Sequence, residues 1–162
     1  MKSPVHLYVI ETNPERAMSL RAELADVTHV TVFEKYDEAI HASGGLDALV
    51  VSLIWAIELG LIEIPAPLHQ TRVVRMPAYK VVQGHPRYAI PGVAIAPGES
   101  LNTVETTRLI LRESFKAIDR FNESNPVKLK SFGADAVSMG LDQLRAGEAT
   151  QLLSEAYVTA VA

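Results

Sequence analysis

Two short segments of the chain have the residue types and spacing of ligand-binding loops, because each lies between a predicted strand and a predicted helix. The backbone N–H groups at such a junction can hold an anion such as a phosphate. The candidate contacts are Gly133, Ala134, Asp135, Ala136, Val137 and Ser138 in the first segment, and Gly98 and Glu99 in the second. A purely structural turn is the other interpretation of the first segment, since two glycines in residues 133–140 form a weak phosphate pattern and Asp135 repels a diphosphate.

Catalytic chemistry finds little support in the sequence. Glu99 can act as a general base only with a partner and a pocket, and the sequence indicates neither. An ordinary helix start, capped by Ser100 or Asn102, is the simpler explanation of that segment. The chain has no cysteine, the five histidines lack the spacing of metal ligands, and the serines lack the glycines of a nucleophile elbow. We therefore expect no catalytic residue, no metal and no cofactor.

The elements that would position these segments alternate along the chain. Apolar runs and period-two patterns predict strands at 5–10, 29–33, 46–52, 72–76, 80–82, 88–96 and 127–132, the last followed by a loop over 132–140. Helical apolar spacing predicts helices at 14–25, at 36–42, within 53–64, from about 100 to 121, and around 149–156. Asn13 and Pro14 form a clear helix start. This alternation predicts a mostly parallel sheet that is covered on both faces.

The bulk composition indicates one α/β domain spanning residues 1–162. Hydrophobic residues make up 48% and charged residues 21%, which is typical of a folded globular chain. A formal net charge of −4 argues against a general nucleic-acid-binding protein. The most apolar stretch, residues 53–68, is interrupted by Glu58 and Glu63, so we expect no membrane span. Because Met1 to Pro4 leads directly into a strand-like run rather than a secretion signal, we expect a cytoplasmic protein.

Charge is unevenly distributed within this acidic chain. Residues 71–98 contain no acidic side chain but several basic ones, namely Arg72, Arg75, Lys80 and Arg87, together with His85. Such a local excess can face an anionic ligand. The alternative is that these side chains are the solvated ends of alternating strands.

Several segments resemble a bacterial branch of the macro domains. The similarity lies in His6 to Pro14 and Asp47-Ala48-Leu49-Val50, then Tyr88-Ala89-Ile90, Ala94 to Pro97, Thr106-Thr107, Leu109-Ile110-Leu111, Ala149 to Leu152 and Ala156-Tyr157. The resemblance implies a three-layer α/β/α sandwich with a mostly parallel mixed sheet. It also implies an ADP-ribose cleft at the carboxyl ends of the central strands.

The departures from that family concern the ligand site. Where the family carries an asparagine motif and a glycine-rich catalytic loop, this chain has Val51 to Trp55, and no asparagine occurs between Asn13 and Asn102. Glu34 or Asp37 stands where the family's adenine-recognising acid is expected, and 132–140 corresponds to its diphosphate loop. The resemblance thus implies a non-catalytic binding module with an eroded ADP-ribose site. A hydrolase of ADP-ribose or nucleotide derivatives, and a structural homodimer without a small ligand, are the alternatives.

The apolar run at residues 53–68 begins where the family's catalytic loop would begin. Leu53, Ile54, Trp55 and Ile57 are its candidate interface residues. Trp55 either plugs the ancestral cleft as part of the core or forms a self-association surface. Because so many apolar side chains are crowded into a short segment, we expect that they cannot all turn inward, that the run reshapes the cleft, and that it contributes to a homodimer.

Overall fold

The computed structural model describes residues 5–25, 27, 29–42, 46–63 and 66–161, with no description of the side chains at 42, 137, 138, 142, 146 and 157–161. Two expectations fall outside these residues: the glycine-rich end of the second helix at Ser43 to Gly45, and the parts of the apolar run at Ile64 and Pro65.

The described chain forms one six-stranded sheet with the order β2-β1-β6-β3-β5-β4. The strands are β1 (His6–Ile10), β2 (Val30–Phe33), β3 (Ala48–Val51), β4 (Val74–Arg75), β5 (Tyr88–Pro91) and β6 (Ser131–Asp135). All neighbouring pairs are parallel except β4 with β5, which is antiparallel. The prediction of a mostly parallel sheet is confirmed. We call the edge at which the parallel strands end the carboxyl edge, and the edge at which they begin the amino edge.

The helices occupy the connections between the strands. They are α1 (Pro14–Glu23), α2 (Tyr36–Ala42), α3 (Leu53–Glu58), α4 (Ala78–Val82), α5 (Thr103–Ser124), α6 (Ala136–Met139) and α7 (Ala146–Val161), with a short 3-10 helix at Leu141–Gln143. Two predicted caps are confirmed, because the Asn13 side chain accepts a hydrogen bond from the backbone N–H of Arg16 and the Asn102 side chain accepts one from that of Glu105. Each cap satisfies one of the N–H groups that a helix start leaves unpaired.

Two of the predicted elements are wrong. Residues 80–82 form the end of α4 rather than a strand. Val81 packs inward and Val82 is exposed, and over only three residues this alternation looks the same in a helix as in a strand. The last strand is displaced to Ser131–Asp135, so residues 133–135 lie in the sheet and 136–139 in a helix instead of a loop. The sequence prediction ends the strand before Gly133 because a glycine interrupts the apolar pattern, whereas in the structure Gly133 lies within the strand.

Apolar side chains cover the sheet on both faces. On one face, Leu7 and Val9 of β1 belong to the main buried cluster, which also includes residues of α1, α5 and α7. On the other, Leu49 and Val51 of β3 pack with Ala56 of α3 in a smaller cluster. Successive side chains of a strand point to opposite faces, so each central strand contributes to both layers of packing. Because both faces are covered, ligand sites can form only in the loops at the carboxyl edge and the amino edge.

Candidate functional site

A cavity of about 650 Å³ opens at the carboxyl edge, beyond the ends of β3 and β5. Its floor is formed by Pro91 and Gly92, and Leu53 at the start of α3 lies beside them. The Gly92 N–H donates to the carbonyl of Val51 (2.9 Å), which holds the end of β5 against β3. We call this space the carboxyl-edge cavity. Ligands of open parallel sheets bind in such crevices outside the strand ends.

One wall of the carboxyl-edge cavity is anchored by hydrogen bonds to the rest of the fold. The backbone N–H of His69 donates to Ala94 (2.9 Å), and the buried hydroxyl of Thr71 donates to the carbonyl of Pro91 (2.6 Å). Arg120 of α5 donates to the carbonyl of Thr71 (2.9 Å). These bonds fix the wall before any ligand arrives, which lowers the ordering cost of binding.

The lining of the carboxyl-edge cavity is largely apolar, with a few polar groups. Leu53, Leu61 and Ile62 provide much of its apolar surface. Glu63 and Arg72 are its two charged residues, so the lining is electrically neutral, and Gln70 adds an amide. Within the described part of the chain, no carboxylate lies within ion-pair distance of Arg72. The arrangement suits a ligand with an apolar or aromatic body and one anionic or polar contact.

A histidine–glutamate pair lies next to this wall. The Nε2 atom of His69 is 2.7 Å and 2.9 Å from the two carboxylate oxygens of Glu99, and the Ala96 N–H also donates to Glu99 (2.8 Å). Hydrogen bonds from His69 and then from Ala96 lower the pKa of Glu99. Gly98, with φ of +83°, turns the chain immediately before Glu99. The structure thus provides both the partner and the neighbouring pocket for which the sequence had no sign. His69 lies 30 residues from Glu99, and no local pattern links them.

The residues predicted as a diphosphate loop are used for packing. Gly133 and Ala134 are buried in the middle of β6, and a Cβ on Gly133 would lie 2.6 Å from a methyl carbon of Leu46. Gly140 has φ of +78°, and a Cβ there would lie 3.1 Å from the Thr107 hydroxyl, which donates to the carbonyl of Met139. Ala136 is fully buried, and the side chains of Val137 and Ser138 fall outside the description. Both glycines of the segment therefore have structural roles.

Two carboxylates lie at the ends of the strands next to this segment. Asp135 ends β6 and pairs with Ile10 of β1, which is followed by the buried Glu11. The Nε atom of Arg16 is 4.0 Å from Glu11, and the same guanidinium donates to the carbonyls of Leu141 and Leu144. Two acids at this position disfavour a diphosphate through like-charge repulsion.

The apolar run that begins at Leu53 turns mostly inward. Ala56 is buried, and Trp55, Leu59, Leu61 and Ile62 pack against the smaller cluster, while Ile54 stays exposed, in agreement with the expectation that the apolar side chains cannot all turn inward. Ile57 is half-buried, and the side chain of Ile54 is exposed, at 72%. Trp55 lies 5.6 Å from the ring of His85, between ring centroids, and is not among the residues lining the carboxyl-edge cavity. Leu53, Leu61 and Ile62 of the run line the carboxyl-edge cavity.

Two further tests of the described residues bear on function. No group of three or more histidine, aspartate or glutamate side chains is placed to hold a metal ion among them. None of their helices is both long enough and apolar enough to cross a membrane. No family model, no curated protein and no solved structure matches the chain.

Proposed function

We propose that the protein is a macro-domain-like, three-layer α/β/α binding module that takes the nucleoside part of a nucleotide or ADP-ribose-like ligand and does not transform it. The observation that carries the proposal is the cavity of about 650 Å³ at the carboxyl ends of β3 and β5. Its volume lies within the range of small-molecule sites, and its position follows the general rule for open parallel sheets. Its anchored wall supports binding without a large rearrangement.

The distribution of charge favours the nucleoside over the diphosphate as the main contact. Leu53, Ile62 and Pro91 offer apolar surface for a base, and Gln70 offers both a donor and an acceptor. Arg72 is the single cation of the lining and can contact one phosphate. A diphosphate at the end of β6 would instead meet Asp135 and Glu11. This pattern agrees with an ADP-ribose site that has lost its diphosphate contacts.

Calorimetric titrations with adenosine, AMP, ADP and ADP-ribose test this proposal. We expect affinities that agree within about tenfold, because one added phosphate contact on Arg72 contributes about 1.4 kcal/mol at most. Ala94→Phe fills the cavity and should abolish binding, while Arg72→Gln should reduce the preference for AMP over adenosine. Arg108→Gln, on the exposed face of α5, is the matched control and should leave all four affinities unchanged. No measurable binding of any of the four ligands, or binding that survives Ala94→Phe, would contradict the proposal.

A nucleotide-derivative hydrolase is the second candidate, and the His69–Glu99 pair is the observation that favours it. A carboxylate that orients a histidine is a common general acid–base arrangement. Both side chains are partly exposed, however, at 46% and 27%, so the pair is poorly shielded from water. We expect no turnover of ADP-ribose 1″-phosphate or of ADP-ribosyl esters. Turnover of either substrate that is abolished both by His69→Ala and by Ala94→Phe would show that the protein is a hydrolase rather than a binding module.

A further inference from the structure

The basic residues of segment 71–98 do not form one surface. Arg72 lines the carboxyl-edge cavity, whereas Arg75, His85 and Arg87 line a separate cavity of about 540 Å³. This second space lies at the amino edge, next to Tyr88, where β5 begins. We call it the amino-edge cavity.

The charge of the amino-edge cavity is positive. Its lining contains three cations, Arg75, Arg87 and Lys128, and one carboxylate, Asp47, which leaves a formal net charge of +2. The carboxylate is already engaged, because Oδ2 of Asp47 accepts hydrogen bonds from the backbone N–H groups of Lys130 (2.6 Å) and Ser131 (3.2 Å). Lys128 is engaged as well, since its Nζ donates to carbonyl groups at the end of α5.

The two arginines of this cavity form no ion pair with the described residues. Among the residues that the structure describes, no carboxylate lies within ion-pair distance of either guanidinium. Arg75 is opposite Tyr88 in the β4–β5 pair, and the Met76 N–H donates to the carbonyl of Arg87 (2.8 Å), so the two arginines lie on neighbouring, hydrogen-bonded segments. A guanidinium presents a planar fork of donors that matches a carboxylate or a phosphate. Because both arginines line the one cavity, an anionic group there can accept hydrogen bonds from them.

The remaining lining adds an apolar body and an unsatisfied polar atom. Leu46 and Leu129 are buried, and Tyr88 and Val81 are half-buried beside them. The Nδ1 atom of His85 is buried without a hydrogen-bond partner. Burial, and then the charge of Lys80, lowers the pKa of His85, which favours the neutral ring. Buried polar atoms without partners are uncommon in folded proteins, and a polar group of a ligand is one way to satisfy this one.

We infer that the amino-edge cavity is a second ligand site, which takes a small organic anion. The carboxylate or phosphate-monoester head binds between Arg75 and Arg87, and an apolar or aromatic body lies against Leu46, Tyr88 and Leu129. This site is independent of the nucleoside site proposed at the carboxyl edge.

Titrations followed by amide chemical shifts test the inference with the intact chain. The probes are phenyl phosphate and benzoate, with inorganic phosphate and sodium chloride at matched ionic strength as controls. We expect both organic anions to shift the amides of Gly84, Arg87 and Leu129 in a saturable manner, and sodium chloride to leave them unchanged. The double variant Arg75→Gln, Arg87→Gln should weaken binding by about tenfold or more, since it removes both charged donors. Arg72→Gln, which removes an unpaired arginine at the other edge, should leave the affinity within about twofold.

The result that overturns the inference is equally specific. Shifts that sodium chloride reproduces, or that persist in the double variant, would show that no anion site exists at this edge. If inorganic phosphate bound as tightly as phenyl phosphate, the proposed apolar contacts with Leu46, Tyr88 and Leu129 would be wrong. Adenosine titrated in the same way reports the carboxyl-edge cavity, through the amides of Leu53 and Gly92. The failure of one site is thereby distinguished from the failure of the other.

Discussion

The two cavities lie at opposite edges of one sheet and differ in charge more than in size. Their volumes are about 650 and 540 Å³, but the lining of the carboxyl-edge cavity is neutral whereas that of the amino-edge cavity carries a formal charge of +2. The cause is the direction of β4, which is antiparallel to β5. Arg72 precedes this strand at the carboxyl edge, and Arg75 and Arg87 lie where the chain has reached the amino edge. A two-residue strand thus divides one basic stretch between two sites.

Helix α3 connects the two regions. Its first residue, Leu53, lines the carboxyl-edge cavity, and two residues later the Trp55 ring contacts His85, which lines the amino-edge cavity. Lys80 adds a cation over the Trp55 ring, 5.5 Å from its centroid. A substitution in α3 should therefore weaken ligand binding at both edges. A substitution in the lining of one cavity should weaken binding in that cavity alone. The following predictions, from the largest expected effect to the smallest, test this difference.

Trp55→Ala should destabilise the protein by about 2–3 kcal/mol, less than a fully buried tryptophan because the side chain is half-exposed. The variant removes the ring that packs against His85 and loosens the helix that begins at Leu53, so both adenosine and phenyl phosphate should bind more weakly. Chemical denaturation and the two titrations measure these effects. Trp55→Phe keeps an aromatic ring and is the control. Weakening at one edge only would show that Trp55 does not support both linings.

Gly60→Ala and Gly84→Ala form a matched pair, one in each lining. Both glycines have positive φ, +72° and +101°, and a Cβ at either position meets open space, so the cost is backbone strain of about 1–2 kcal/mol. We expect similar losses of unfolding free energy. Gly60→Ala should weaken adenosine binding alone, and Gly84→Ala phenyl phosphate binding alone. If either variant weakened both ligands, the two sites would not be independent.

Acid should loosen the carboxyl-edge wall through Glu99. The pKa of Glu99 lies below its ordinary value of 4.5, so its contribution to stability is fully present above about pH 4.5 and is lost as the pH falls through the lowered pKa of the folded state. The difference in unfolding free energy between wild type and Glu99→Gln should therefore be constant near neutral pH and disappear in acid. The protection of the His69 amide against hydrogen exchange should fall over the same range, because its N–H bonds to Ala94 in the same wall. Glu123→Gln, at an exposed position of α5, is the control. If its pH profile were the same as that of Glu99→Gln, the effect would not come from the His69–Glu99 pair.

Ile54→Ser should change the stability of the monomer by no more than about 0.5 kcal/mol, because its side chain is 72% exposed. If the predicted homodimer forms through α3, light scattering coupled to gel filtration should give about twice the chain mass of 17.7 kDa for wild type and the single mass for the variant. Met18→Ser, on α1 at 70% exposure, should leave the assembly unchanged. A wild-type monomer would contradict the dimer.

Local sequence determined the elements whose signals are contained within a few residues. Asn13 and Asn102 begin their helices because each side chain satisfies a backbone N–H three residues later, and the apolar spacing of α5 specifies which face is buried. The apolar run before Ser52 likewise predicts a strand covered on both faces, and Ala48–Val51 is fully buried. Such features depend on neighbours in the chain, so the order of strands and helices follows largely from the sequence.

Only the tertiary structure decided which distant residues share a site. His69 reaches Glu99, Gly133 enters the sheet to make room for Leu46, and Arg72 is separated from Arg75 although only two residues lie between them. Each of these outcomes depends on strand order and direction, which arise from the packing of the whole core rather than from any local pattern. For that reason the candidate segment that begins at Gly133 became part of the packed interior, whereas Gly98 and Glu99 lie at the surface beside the carboxyl-edge wall. The basic segment 71–98, which the sequence presented as one group, is divided between the two cavities.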